Sequence, residues 1–168
     1  MTGMGPVVDD GRMGGVPERF EDPLIRLYAL ADEGILVVCP RCRGRAVVVP
    51  WPDRGGDVFE SPRRLACAGC GHVATVVPEW SEWGGATDPY FGLPLWLRAR
   101  CCGGRTVWAF NESHVDLLER FVGARVRERR ASPGTMSLVA RLPRWMKTAK
   151  NRDEVLRAIG ALRASLTG

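Results

Sequence analysis

Short apolar runs separated by cysteine-containing turns form the first repeated pattern along this chain. The runs ILVV (35–38) and RAVVVP (45–50) flank the turn CPRC, and the runs RRLA (63–66) and VATVVP (73–78) flank the turn CAGC. Valine and isoleucine favour strands, and a short gap that contains glycine favours a hairpin turn. Each pair of runs is therefore predicted to form a β-hairpin with its cysteines at the turn.

A third pair of runs, LWLRAR (95–100) and RTVWAF (105–110), flanks the turn CCGG and predicts a third antiparallel hairpin. The first two hairpins share the order strand, C-x-x-C, glycine and strand, so they form an internal repeat of about 28 residues. The segment 51–62 is rich in turn-forming residues and is predicted to be the loop that joins them.

Beyond the third hairpin the apolar residues recur with a period of about 3.6, which predicts helices. One apolar stripe predicts a helix over residues 112–130, with Asn111 as its N-cap. A second stripe predicts a final helix over residues 152–166, opened by a capping-box-like pair of Asn151 and Glu154. The predicted fold class is therefore α+β, with three antiparallel hairpins followed by C-terminal helices.

The same patterns predict a division of the chain into three parts. Residues 1–22 are rich in glycine, proline and aspartate and are predicted to be a disordered leader. Residues 23–110 are predicted to form a β domain that begins with a short helix over residues 23–33. Residues 111–168 are predicted to be a basic helical region that packs on this domain or extends from it.

Length and composition indicate one domain, or one small domain with an appendage. Of the 168 residues 45% are hydrophobic, and no apolar run approaches the roughly 18–20 residues of a membrane span. The N-terminus lacks the basic flank and apolar stretch of a secretory signal. We therefore expect a cytoplasmic protein, in which paired cysteines bind metal or do redox chemistry more often than they form disulfides.

Four of the six cysteines have the spacing of a metal site. Zinc prefers four tetrahedral ligands, and a C-x-x-C turn directs two thiolates towards one ion. The two turns are separated by 24 residues, slightly more than the usual range of about 15–20, and the loop between the hairpins accounts for the difference. A redox C-x-x-C normally occurs once and opens a helix, whereas this motif occurs twice between strands. We predict one structural Zn²⁺ per chain, held by Cys39, Cys42, Cys67 and Cys70.

The adjacent Cys101 and Cys102 leave three interpretations open: a second metal site with His114, a redox-sensitive thiol pair, or two small side chains that pack. Neighbouring residues of a strand point to opposite faces, and His114 is expected roughly 15–20 Å from the turn, at the other end of the hairpin. His72 alone cannot complete a four-ligand shell. We favour packing, and hence one zinc ion per chain.

Charge is distributed unevenly along the chain. Residues 1–96 carry 9 arginines and 13 acidic residues, a net charge of −4, whereas residues 97–168 carry 15 basic and 6 acidic residues, a net charge of +9. A basic half favours an anionic partner such as DNA or RNA, although an arginine-rich composition also produces ordinary solvated surface. The residues that we predict to contact phosphates are Arg120, Arg125, Arg127, Arg129, Arg130, Arg141, Arg144, Lys147, Lys150 and Arg152.

The sequence contains none of the common catalytic motifs. It has no G-x-x-x-x-G-K-[ST], no G-x-G-x-x-G before a helix and no H-E-x-x-H, and neither of its two histidines lies in a recognisable nucleophile motif. We therefore expect a protein that is not an enzyme, has no small-molecule substrate and does not bind a membrane.

The turns CPRCRG and CAGCGH, within residues 35–78, resemble the two knuckles of a zinc ribbon of the kind found in transcription factor IIB. Residues 95–160, which contain RARCCGG and RLPRWMKTAK, are similar to small uncharacterised bacterial proteins labelled as zinc-ribbon proteins of this type. Some of those proteins carry the name of a replication-restart helicase, but this chain has no nucleotide-binding motif and is too short for a helicase.

The resemblance implies a metal-binding fold and no particular activity, because zinc ribbons serve in transcription, translation, RNA modification and protein interaction. Two functions follow as hypotheses. The first is a nucleic-acid-associated module in which residues 120–152 contact phosphates. The alternative is a protein–protein interaction adaptor within a larger bacterial complex.

Overall fold

The structure, a computed structural model, describes residues 19–51, 61–79, 83–128 and 137–168. In chain order its strands are β1 (Arg19–Glu21), β2 (Ile35–Val38), β3 (Arg45–Pro50), β4 (Arg63–Ala66), β5 (Val73–Val76), β6 (Leu97–Cys101), β7 (Arg105–Ala109) and β8 (Val126–Glu128). Its α-helices are α1 (Leu27–Asp32), α2 (Glu112–Gly123), α3 (Leu138–Arg141), α4 (Arg144–Lys147) and α5 (Arg152–Ala164). The predicted α+β class and all three predicted hairpins are confirmed.

Strands β2 to β5 form one antiparallel sheet in sequence order. The first two hairpins are continuous with each other because β3 also pairs with β4, with Val47 opposite Ala66. In such a meander the first and third connections lie at the same end of the sheet. Both cysteine turns therefore lie together, with Val38 opposite Arg45 at one turn and Ala66 opposite Val73 at the other.

The sheet has one buried face and one partly exposed face, as the period of two predicts. The side chains of Ile35, Val48 and Leu65 are buried on the inner face. The register places a row of apolar residues on the outer face, namely Leu36, Val47, Ala66 and Val73. The first three are half-buried and Val73 is exposed, so this face is incompletely covered by the described residues.

The third hairpin, β6–β7, is anchored to the outer edge of β2 by backbone hydrogen bonds at its base. The Leu36 N–H donates to the Phe110 carbonyl at 2.8 Å, and the Trp96 N–H donates to the Leu36 carbonyl at 2.9 Å. Helix α5 packs on the same hairpin through its buried face of Val155, Ala158, Ile159 and Leu162. The Trp96 indole N–H donates to the Ser165 carbonyl at 3.0 Å and holds the end of that helix.

The N-cap predicted at Asn111 is confirmed, whereas the capping box at the start of α5 is wrong. The Asn111 side-chain oxygen accepts the His114 N–H at 3.0 Å, while its amide donates to the carbonyls of Leu30 and Gly34. At α5 the Asn151 side chain makes no cap and donates to the Trp145 carbonyl at 2.9 Å. The Glu154 carboxylate instead accepts the backbone N–H of Cys102 in the third hairpin.

Helix α2 ends at Gly123, so the prediction of a helix to residue 130 is wrong for residues 124–128, and residues 129 and 130 lie outside the described residues. The chain becomes extended at Ala124, and β8 pairs in parallel with β1. The reason is tertiary: Phe20 of β1 is buried and meets the Phe121 ring edge-to-face at 5.3 Å, which brings the two segments together. No sequence periodicity contains this information.

The end of the predicted leader belongs to the fold, since residues 19–21 form β1. Residues 1–18 lie outside the described residues, and the division of the chain into a leader and two regions stays a prediction. Among the described helices none is both long enough and apolar enough to cross a membrane.

Candidate metal centre

The four predicted ligand cysteines converge on one point at the shared end of the sheet. Their sulfur atoms all lie within 4.8 Å of one another. The Cys39 and Cys70 sulfurs are 3.7 Å apart, and the Cys42 and Cys67 sulfurs are 3.6 Å apart. A tetrahedral zinc shell with Zn–S bonds of about 2.3 Å places its sulfurs about 3.8 Å apart, whereas a disulfide needs about 2.05 Å. The observed spacing fits an ion held between free thiolates.

Both knuckles fold by the same pair of backbone hydrogen bonds. In the first, the Cys39 N–H donates to the Gly44 carbonyl at 2.8 Å and the Arg43 N–H donates back to the Cys39 carbonyl at 3.0 Å. In the second, the Cys67 N–H donates to the His72 carbonyl and the Gly71 N–H donates to the Cys67 carbonyl, both at 2.9 Å. The internal repeat seen in the sequence is therefore a repeat of backbone structure.

The residue after the second cysteine of each knuckle adopts a left-handed conformation. In the second knuckle this residue is Gly71, with φ of 70°, and in the first it is Arg43, with φ of 65°. The glycine of the first knuckle, Gly44, follows one position later and has no positive φ. Its role is steric, since a Cβ there would lie 3.3 Å from the Cys42 sulfur.

The pKa values of two of the thiols, Cys39 and Cys70, show why the cluster suits a cation. The Cys42 N–H, together with the Arg41 N–H at 3.4 Å, lowers the pKa of Cys39 to about 6. At Cys70 the His72 N–H acts in the same direction, but burial and the other three sulfurs outweigh it and raise the pKa to about 12. Thiolates packed this closely repel one another, so full ionisation of the site requires a positive ion at its centre.

Exposure differs among the four ligands. Cys39 and Cys67, which are the first cysteines of the two knuckles, are buried, Cys70 is half-buried and Cys42 is exposed.

The donor set of four soft thiolates fits zinc, and the distances between the sulfurs fit a site of the size of a metal ion. In the ranges that the structure covers, this is the one cluster of three or more cysteine, histidine or carboxylate ligands with atoms close enough for a shared ion.

Cys101 and Cys102 lie at the tip of the third hairpin. Cys101 is buried, and this burial together with its neighbour Cys102 raises the pKa of its thiol to about 12. Cys102 has a positive φ of 49°, followed by two glycines of positive φ. The side chain of His114 is buried at the base of the hairpin, where its Nδ1 accepts the Phe110 N–H at 3.2 Å.

The predicted phosphate-contacting residues divide into three groups. Five are exposed: Arg120, Arg125, Arg141, Arg144 and Lys150. Arg127, Lys147 and Arg152 are half-buried. Arg129 and Arg130 lie outside the described residues. Because α2 ends at Gly123, Arg125 and Arg127 do not continue the face of a helix as the sequence predicted.

Two of the half-buried cations hold the fold together. The Arg127 guanidinium donates to the carbonyls of Phe121, Val122 and Lys147 at 3.0, 3.1 and 2.8 Å. Burial, followed by the nearby charge of Arg152, lowers the Arg127 pKa. The Lys147 ammonium donates to the Ala140 carbonyl at 2.7 Å and so ties α4 to α3. The structural roles of Arg127 and Lys147 have no signal in the sequence, because both depend on contacts between segments that are apart along the chain.

Comparison with known proteins adds no family to these observations. No protein-family model, no curated protein and no solved structure matches this chain. The assignment of a candidate metal centre therefore depends on the geometry of the four cysteines alone.

Proposed function

We propose that this chain is a structural-zinc protein of the zinc-ribbon type that acts, without catalysis of its own, as a nucleic-acid-associated module in the cytoplasm. The observation that carries the zinc assignment is the convergence of four cysteine sulfurs at the separations of a tetrahedral shell. Four thiolates leave no open position on the ion for water or substrate, which favours a structural role. Thiols of this kind persist in a reducing compartment.

Metal analysis with matched cysteine variants tests the zinc assignment. We expect one zinc ion per chain in the natural protein, since four ligands saturate one ion. Cys39→Ser removes a buried ligand and is expected to abolish stoichiometric zinc, whereas Cys102→Ser changes a half-buried thiol outside the centre and is expected to retain it. Two zinc ions per folded chain, or equal zinc content in both variants, would contradict the assignment.

Nucleic-acid association is supported by the charge of the C-terminal half. Residues 97–168 carry a net charge of +9, and five of the predicted contact residues are exposed on this half. Lys and Arg side chains that neutralise phosphates release counterions, so the affinity should fall steeply with salt. The expected slope of log K against log salt is about −0.9 per phosphate contacted on duplex DNA.

Binding measurements over a salt series, on duplex DNA, single strands and structured RNA, test this role. Replacing Arg125, Arg144 and Lys150 with glutamine should weaken binding and reduce the salt slope. The matched control replaces three exposed arginines that were not predicted to make contacts, Arg98, Arg100 and Arg157. Binding that is absent, insensitive to salt or equally reduced by both triple variants would overturn the proposal.

A second candidate function, a protein-interaction adaptor, is favoured by the outer face of the four-stranded sheet. Its row of Leu36, Val47, Ala66 and Val73 is apolar, and the neighbouring Trp51 and Val77 are among the exposed large hydrophobic side chains. Exposed apolar patches are typical of protein-binding surfaces. A partner that co-purifies from the native host after nuclease treatment, and is lost with Val77→Glu but not with Val126→Glu on the exposed β8, would favour the adaptor.

A further inference from the structure

One cavity lies away from the four-cysteine cluster, between the third hairpin and the helices. Its volume is about 870 Å³, and it is lined by residues of α1, β7, α2, α3 and α4. This volume lies within the range of roughly 300–1,000 Å³ that is usual for small-molecule sites. Its walls are contributed by segments more than a hundred residues apart in the sequence.

Aromatic side chains form part of the cavity wall. Trp108 and Trp145 both line it and are half-buried. Trp108 packs against two neighbouring rings, since its ring lies 5.4 Å from the Phe110 ring and 5.5 Å from the His114 ring. Rigid aromatic faces of this kind are platforms on which nucleobases stack, and every base has a face that suits them.

The polar part of the wall is positively charged. Arg26, Arg105 and Arg141 line the cavity and are exposed, whereas no carboxylate is found among the described residues that line it. Within the described ranges none of the three arginines forms an ion pair, and the Arg105 guanidinium lies 5.6 Å from the centre of the Trp145 ring. A guanidinium without a carboxylate partner suits the oxygens of a phosphate.

A neutral hydrogen-bond donor completes the wall. His114 lines the cavity and is almost fully buried, and its burial lowers the imidazole pKa to about 3, so the ring is uncharged. Its Nδ1 accepts the Phe110 N–H. In a neutral imidazole the proton is then carried by Nε2, which makes this atom a donor. A donor among aromatic faces matches the carbonyl and ring-nitrogen acceptors of a base.

We propose that this cavity binds one nucleotide unit, with its base against Trp108 and Trp145 and its phosphate held by Arg105 and Arg141. The inference rests on the proposed nucleic-acid role and names the form of nucleic acid that the protein recognises. The bound unit belongs either to a single strand, whose unpaired bases can leave the stack, or to a free mononucleotide. A base within a duplex cannot enter a cavity of this kind, so duplex DNA should bind less tightly than a single strand.

Tryptophan fluorescence and competition measurements on the zinc-loaded full chain test the cavity. The probes are adenosine monophosphate, a single-stranded oligonucleotide of mixed sequence and the duplex of that sequence. Arg105→Gln and Arg141→Gln are each expected to weaken binding of the single strand roughly tenfold, because each removes a charge-assisted hydrogen bond. Arg157→Gln removes the same charge from an exposed position of α5 outside the cavity and is expected to change the affinity less than about twofold.

The outcomes distinguish a nucleic-acid strand from a free mononucleotide as the source of the bound unit. They also distinguish failure of the cavity proposal from failure of the proposed nucleic-acid role. A single strand that binds more tightly than both other probes, with the expected loss in the two cavity variants, supports the inference with a nucleic-acid strand as the source. Adenosine monophosphate that binds as tightly as the strand, with the same loss, supports it with a free nucleotide as the source. Strand binding that the cavity variants reduce no more than Arg157→Gln does would overturn the cavity and leave the proposed function standing. If none of the probes binds, the cavity proposal falls, and the nucleic-acid role falls with it when structured RNA also fails to bind in the salt series.

Discussion

Arg43 is the residue of the metal centre whose backbone conformation suits its side chain least. Its φ of 65° lies in the left-handed region, which costs a residue with a Cβ about 1–2 kcal/mol. The equivalent residue of the second knuckle is Gly71, which adopts the same conformation without that cost. The first knuckle therefore carries local strain that the second avoids.

We predict that Arg43→Gly stabilises the zinc-loaded protein. Relief of the left-handed strain, less the larger chain entropy of glycine in the unfolded state, should leave a gain of about 0.5–1 kcal/mol. Thermal unfolding should show a Tm higher by about 1–4 °C. The control is Arg41→Gly in the same exposed turn, where φ is not positive and glycine should bring no gain. Equal Tm changes in the two variants would show that the conformation of Arg43 is not strained.

His114 makes stability depend on pH. The folded chain holds its imidazole neutral with a pKa of about 3, because burial penalises the charged form, whereas an unfolded histidine titrates near 6.5. Between these values the unfolded state binds a proton that the folded state does not. The stability that depends on a neutral His114 is therefore fully present above about pH 6.5 and is lost as the pH falls. The free energy of unfolding then decreases with a slope that approaches about 1.4 kcal/mol per pH unit.

We predict that His114→Asn gives a shallower dependence of the free energy of unfolding on pH. Asparagine places an acceptor oxygen near the position of Nδ1 for the Phe110 N–H but does not titrate. Between pH 6.5 and about 5.5, the slope should fall by an amount of up to about 1 kcal/mol per unit relative to the natural protein. Both proteins are measured by thermal unfolding with zinc content verified at each pH, because acid also protonates the thiolates. Parallel pH profiles would exclude His114 as the source.

At the scale of elements, the C-terminus of α2 is closed by a side chain from beyond the helix. The last carbonyls of a helix lack partners within it. Arg127 of β8 supplies donors to two of them, Phe121 and Val122, and reaches Lys147 of α4 with a third hydrogen bond. Its guanidinium also lies 4.6 Å from the centre of the Phe121 ring. One side chain thus joins α2, β8 and α4.

We predict that Arg127→Met destabilises the protein by about 2–3 kcal/mol, because three carbonyls lose a charged donor and methionine replaces only the apolar stem. Arg125→Met is the matched control, two residues away and exposed, and should stay within about 0.5 kcal/mol of the natural protein. Thermal unfolding of the two variants checks the difference. If Arg127→Met unfolds no earlier than Arg125→Met, the cap does not contribute to stability.

At the scale of the whole molecule, the four-cysteine cluster lies between the two hairpins of the main sheet, at the end where their turns meet. Apparent binding free energies of structural zinc are about 10–16 kcal/mol, as large as the net stability of a domain, which is about 5–15 kcal/mol. The inner face of the sheet continues into the core formed with the third hairpin and the helices. Loss of the ion should therefore affect more than the two knuckles.

We predict that removal of zinc by a strong chelator unfolds the four-stranded sheet. Far-UV circular dichroism should lose strand signal, the thermal transition should broaden or disappear, and added zinc should restore both. Cys39→Ser should behave like the chelated protein, and Cys102→Ser like the zinc-loaded one. A far-UV spectrum and thermal transition that do not change after verified removal of the metal would contradict a structural role for the ion.

The predictions that succeeded are those in which neighbouring residues contain the whole signal. Strands β2 and β3 have the predicted bounds because each is rich in β-branched residues and is bounded by a turn, and β4 has them because it leads directly into a C-x-x-C turn. The closeness of the two cysteines within each knuckle was predictable because a C-x-x-C turn holds its two side chains near each other wherever the turn lies. The N-cap at Asn111 was predictable because the side chain of an N-cap residue accepts a hydrogen bond from the first turn of its own helix.

The predictions that failed concern residues whose partners lie far away in the chain. The helix beyond Gly123 gives way to β8 because β1, about a hundred residues earlier, pairs with it. The Glu154 side chain does not take part in the predicted capping box and instead accepts the backbone N–H of Cys102 in the third hairpin. The buried Arg63 side chain, about which the sequence predicted nothing, likewise depends on a distant partner, since it pairs with Asp32 of α1 at 2.9 Å.

The sequence by itself determined the three hairpins, the two cysteine knuckles and the apolar stripes of the helices, because each depends on spacing within a few residues. Only the tertiary structure decided that the four sulfurs are close enough to share an ion, that Arg127 and Lys147 hold helices, and that Arg26, Arg105 and Arg141 surround one cavity. The physical reason is that hydrogen bonds, packing and charge act over a few ångströms in space. Local spacing reports those distances only when the interacting residues are also neighbours along the chain.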